Sequence, residues 1–125
     1  MNKKVALSDI MLEIHTPDFK IVRDFYGALG FKEVWNYPPK GQSGYMVMKR
    51  ENSILAFFCG NEEVYNHSFF KRFPKTTPHG YGIEICLYIS DQPIDKYYQH
   101  VLDTVGKEKI ITPLELNHGK VKIFG

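Results

Sequence analysis

The sequence holds only two cysteines, one tryptophan and no long apolar run, and its charges are balanced. Cys59 and Cys86 each sit inside a strand-like run, and neither has the C-x-x-C or histidine spacing of a zinc site. They read as reduced thiols of a cytoplasmic protein. No apolar stretch approaches the roughly 18 residues that cross a bilayer, which argues against a membrane protein. Residues Met1–Asp9 begin with basic residues but lack the apolar segment of a secretory signal. Against 16 Lys and Arg stand 14 Asp and Glu, for a net charge of +2, so no basic stripe calls for nucleic acid.

What is present suits one globular domain. The 125 residues are 43% hydrophobic and 24% charged, which excludes overall disorder and permits a core without staples. Aromatic residues make up 14%, as nine Phe, eight Tyr and one Trp. That exceeds the needs of a small core and fits a cavity walled by rings.

Residues Ile10–His15 alternate, with Ile10, Leu12 and Ile14 on one face and Met11, Glu13 and His15 on the other, the pattern of a half-buried strand. Thr16-Pro17-Asp18 opens a helix with Thr16 as N-cap; Phe19, Val22, Phe25, Tyr26 and Leu29 recur at helical spacing, and Gly30 ends it. Extended runs follow at Phe31–Tyr37, Tyr45–Arg50 and Ile54–Cys59, separated by a loop at Pro38–Gly44 and a tight turn at Glu51–Ser53. The unit is β-α-β-β-β. A second strand and helix begin at Ile83: Ile83, Ile85, Leu87 and Ile89 alternate with Glu84, Cys86 and Tyr88. Ser90 and Asp91 then cap a helix that Gly106 closes. An offset of 73 superposes Leu12 on Ile85, Ile14 on Leu87, Asp18 on Asp91 and Leu29 on Leu102, which indicates a duplicated unit.

The expected architecture is therefore α+β: two βαβββ modules whose strands form a curved mixed sheet cup with helices outside. Module 1 covers about 6–60, a connector with a short helix or turn covers 61–78, and module 2 covers about 79–125. In module 2 the later strands read at Glu108–Ile111 and Lys120–Phe124, and the counterpart of Ile54–Cys59 would fall at 127–132. A module without that strand has an open edge: either the chain is a shortened version of a longer one, or a strand from a partner fills the gap.

The run Asp18-Phe19-x-x-x-Arg23-Asp24-Phe25-Tyr26-x-x-Leu29-Gly30-Phe31 resembles the vicinal oxygen chelate superfamily, which includes glyoxalase I, extradiol dioxygenases and bleomycin-resistance proteins. Ile83–Asp91 resembles the opening of that family's second module, and His118–Phe124 its penultimate turn and strand. The resemblance implies a homodimer. In metal-dependent members, it implies four inward ligands that leave two positions for a substrate's oxygens. The matching positions here hold Met11, Ala56 and Glu84, with the fourth beyond residue 125. A thioether is a poor ligand for a hard divalent ion, and alanine has no donor.

These residues point to a metal-free small-molecule-binding protein of the bleomycin-resistance-like type, with no cofactor. Its pocket is expected from Met11, Trp35, Tyr37, Tyr45, Phe57 or its neighbour Phe58, and Glu84. Rings would stack on a flat ligand, aromatic or cationic, while Glu84 fixes a polar or positive group and is the candidate catalytic base. A carboxylate between Ile83 and Ile85 that faced inward would have to be paired, neutralised or wet. Bleomycin itself, strongly cationic, would prefer a more acidic binder. The alternative is a glyoxalase-type lyase or dioxygenase with a divalent metal displaced onto Glu13, His15 and Glu84. His79 sits on a loop within reach of a ligand, whereas His67, His100 and His118 show no chemical spacing. No nucleophile triad or phosphate loop is present.

Overall fold

In the computed structural model, residues 10–16, 18–40, 43–59, 66, 68, 70–74, 76, 82–116 and 122–125 are described. The chain is α+β and divides into two compact units, Met1–Ile85 and Cys86–Gly125.

The first unit contains β1 (Leu12–Thr16), α1 (Phe19–Ala28), β2 (Lys32–Lys40), β3 (Ser43–Arg50) and β4 (Ser53–Cys59), so the expected β-α-β-β-β order is present. The sheet is open and mixed, in the order β1-β4-β3-β2, with β1 parallel to β4 and the other neighbours antiparallel. The parallel pair is possible because α1, β2 and β3 supply the long crossover that parallel strands require.

Local chemistry sets the ends of α1. The N-cap is Asp18, not Thr16: its carboxylate accepts from the backbone N–H of Lys20 (2.6 Å) and Ile21 (3.2 Å). Thr16 instead donates its hydroxyl to the Asp18 carbonyl. At the other end the Phe31 N–H reaches the Tyr26 carbonyl (2.9 Å) and the Gly30 N–H reaches that of Gly27 (3.0 Å). Those bonds form a Schellman motif, completed by the Tyr26–Phe31 ring contact at 5.9 Å. Gly30 takes φ +96°, as this motif requires.

Helix α1 covers one face of the sheet. Phe19, Val22 and Ala28 from the helix, with Phe31, Met46, Met48, Leu55 and Phe57, make the core. Tyr26 lies 4.9 Å from the Phe57 ring, and burial raises the pKa of its phenol. Arg23 pins the helix to β2 through Glu33 at 2.6 Å; this bond, helped by the Asn36 amide, lowers the Glu33 pKa. The strands also run further than proline and glycine suggest: β2 reaches Lys40 and β3 starts at Ser43, inside the expected loop.

In the second unit α2 (Ile94–Val105) starts after Pro93 without a side-chain cap, so Ser90 and Asp91 do not cap it; Gly106, at φ +90°, closes it as expected. The short strands β5 (Glu115–Leu116) and β6 (Lys122–Ile123) pair antiparallel, and Thr112 and Gly125 exchange backbone hydrogen bonds beyond them. Phe124 packs on Tyr98 (4.8 Å), and Lys122 meets Asp95 at 3.1 Å.

Three expectations about the second half need correction. Residues 83–90 belong to no strand, and Ile83 (66% exposed) and Tyr88 (90%) face solvent. Alternation marks a chain that can line a sheet, but it does not by itself place that chain in one. Residues 107–109 form a 3-10 turn in place of the strand at Glu108–Ile111, because Gly106 redirects the chain there. Cys86 is exposed and not a strand thiol. The connector does contain a short 3-10 helix, Phe70–Arg72.

Candidate functional site

The sheet face away from α1 is organised by register. Successive strand residues point to opposite faces, so the pairings assign each side chain. His15, Phe58, Tyr45 and Tyr37 lie in one row across β1, β4, β3 and β2. Glu13, Ala56, Val47 and Trp35 form the next. Ile54, Lys49 and Lys32 form a third, toward which Met11 continues the alternation of β1.

The first two rows make a dense aromatic surface. Successive edge-to-face contacts link His15 to Phe58 (5.5 Å), Phe58 to Tyr45 (4.7 Å) and Tyr45 to Trp35 (5.9 Å). One ring thus comes from each of the four strands, in the T-shaped geometry that aromatic quadrupoles favour. Between them Ala56 and Val47 are buried, whereas Tyr37 and Met11 stand more open to solvent.

One carboxylate enters this surface. The Tyr45 hydroxyl donates a 2.8 Å hydrogen bond to Glu13 Oε1. Burial, then this bond, then the negative charge of Glu13 push the Tyr45 pKa strongly upward. The phenol therefore acts as a fixed donor at ordinary pH, and it orients Glu13 among the rings.

The structure thus brings together Glu13, His15, Trp35, Tyr37, Tyr45 and Phe58 on one face, while Met11 lies just before β1 and is exposed. It does not bring Phe57 to them. Phe57 is fully buried on the α1 side, because it pairs with Met46 and Ile14, one residue out of phase with Phe58. Glu84 is exposed on a segment that forms no strand, so the expected inward position is not realised. Glu13, which the sequence offered only as an alternative metal ligand, is the carboxylate among the rings. The signal for it was its shared phase with Met11 and His15. His67, His79 and His118 lie outside the described residues.

The positions that the family resemblance implies do not fit a metal. Of these positions, Met11 carries a thioether and Ala56 a methyl group. Among the described residues no three of His, Cys, Asp or Glu gather as ligands, so Glu13, His15 and Glu84 do not form the displaced site. Among the same residues no helix is long and apolar enough to cross a membrane.

No protein-family model matches the chain, and no curated protein matches it. The fold is similar to the solved structure of a hypothetical protein, SA1046, from S. aureus, with a TM-score of 0.57. The identity is 17%, over 97% of this chain and 87% of that one, a likeness of fold alone.

Proposed function

We propose that this chain is a metal-free small-molecule-binding protein of the vicinal oxygen chelate type, akin to bleomycin-resistance-like binders. In this reading it comprises two βαβββ-derived modules and works as a cytoplasmic homodimer. The observation that carries the proposal is the row of rings, one from each strand, with the Glu13 carboxylate held among them by Tyr45. A sheet face devoted only to packing has no use for an oriented carboxylate. Apolar walls with a few placed polar groups are what a ligand site needs. Glu13 takes the polar role that the sequence suggested for Glu84, while Trp35, Tyr45 and Phe58 supply the stacking surface.

Trp35 is the single tryptophan, so its emission reports on this face alone. A diverse ligand library is expected to yield compounds that change Trp35 fluorescence saturably. At about 100 times its Kd, such a compound also stabilises the fold by about 2.7 kcal/mol. A library in which nothing moves either signal would overturn the proposal. Zinc, iron, nickel or manganese at nearly one per chain, in untagged protein purified without chelator, would instead favour a metal-dependent lyase or dioxygenase.

A further inference from the structure

We infer that the ringed face binds a small organic cation, an amine or quaternary ammonium carried on a flat apolar body, with Glu13 as counter-charge and Trp35, Tyr45 and Phe58 as cation–π partners. The inference rests on the reading of this face as a ligand site and adds the class of ligand.

Three features favour a cation. Aromatic faces carry negative potential, and three rings linked edge to face offer faces in more than one direction. Glu13 adds a full negative charge beside them, and both features repel an anion. Tyr45 occupies one oxygen of Glu13, which leaves the other for the ligand. A protonated amine can donate a charge-assisted hydrogen bond to that oxygen, about twice as strong as one from a neutral donor, whereas a quaternary ammonium meets it by charge alone.

The lysines on this face do not cancel this preference. Lys49 and Lys32, paired in register, lie in the third row. Lys49 stands one row away from Glu13 and two strands across, or about 12 Å at sheet spacings. That exceeds the screening length of about 8 Å at physiological ionic strength. For the same reason the net charge of +2 does not oppose a small monocation seated against Glu13.

The test is a titration of the full chain followed by Trp35 fluorescence, with three probes of matched shape: benzyltrimethylammonium, neutral neopentylbenzene and anionic phenylmethanesulfonate. The ammonium is expected to bind saturably, and the other two at least tenfold more weakly. Glu13→Gln, which keeps an acceptor for the Tyr45 hydroxyl, should weaken the ammonium about tenfold and leave the neutral probe unchanged. If that variant misfolds, a salt series on the unaltered protein tests the same charge preference: ammonium affinity should fall as salt rises and neutral affinity should not. Equal binding of the neutral probe or the sulfonate, or no saturable response to the ammonium, would overturn the inference. Library compounds that still bind at Trp35 would then leave the ligand-site reading standing; if none bound, both would fall.

Discussion

Tyr45 on β3 reaches across β4 to donate its hydroxyl to Glu13 on β1, at 2.8 Å. The two residues belong to strands that are not neighbours, separated by two strand spacings of about 4.8 Å each. The residue of β4 opposite Glu13 on this face is Ala56, whose side chain is a single methyl group and is fully buried. A larger side chain there would stand in the path of the phenol.

Ala56→Leu should therefore break the Tyr45–Glu13 bond as well as overpack the site, at a cost of about 1–3 kcal/mol. Alkaline titration followed by tyrosine absorbance checks the first effect. In the unaltered chain Tyr26 and Tyr45 should both ionise after the exposed tyrosines, and Ala56→Leu should bring Tyr45 earlier while leaving Tyr26 late. Because folding raises the Tyr45 pKa, its contribution to stability is complete below about pH 10 and is lost as pH rises further. Tyr45→Phe should therefore lose less stability above pH 10 than the unaltered protein. An identical alkaline profile would contradict the assignment.

The two adjacent phenylalanines should separate cleanly. Phe57 is fully buried under α1, so Phe57→Ala should cost about 3–5 kcal/mol in chemical denaturation. Phe58, half-buried in the ring row, should cost less when replaced by alanine and should instead weaken ligand binding. A reversed order would mean that the sheet is turned over.

Gly30 and Arg50 form a second coupled pair. Arg50 is buried, and its Nε donates to the Leu29 carbonyl at 3.0 Å, at the negative end of α1. A Cβ on Gly30 would sit 2.9 Å from that Nε, at a φ of +96° that disfavours any side chain. Gly30→Ala should destabilise the fold by about 1–3 kcal/mol. In Arg50→Met the steric part of this penalty should shrink, so the double variant should lose less than the sum of the singles.

Glu51, in the turn between β3 and β4, holds φ 49°. The left-handed region costs a non-glycine residue about 1–2 kcal/mol, and two-residue hairpin turns favour glycine there. Glu51→Gly should raise stability by up to about 1 kcal/mol, read as a higher melting temperature. A fall would show that Glu51 makes a compensating contact.

Much of the first unit was legible because its signals are local. Asp18 at the helix start, Gly30 past its end and the alternation of residues 10–15 each act over a few residues. The correction from Thr16 to Asp18 as N-cap is a shift within one short run. The strand expected at 83–89 is not formed, because alternation is a local property and does not by itself make a segment part of a sheet.

The sequence by itself determined the order of elements in the first unit, the C-terminal end of α1, the abundance of rings and which residues share a phase along each strand. Only the tertiary structure decided which phase faces α1 and which carries the rings, and so chose Phe58 over Phe57. It also decided that β1 lies beside β4, which places Glu13 within reach of Tyr45 and makes Glu13 the carboxylate among the rings. Period-two alternation separates two faces without saying what covers either one. Register between distant strands is set by packing across the whole sheet, so partners 32 residues apart leave no local mark in the chain.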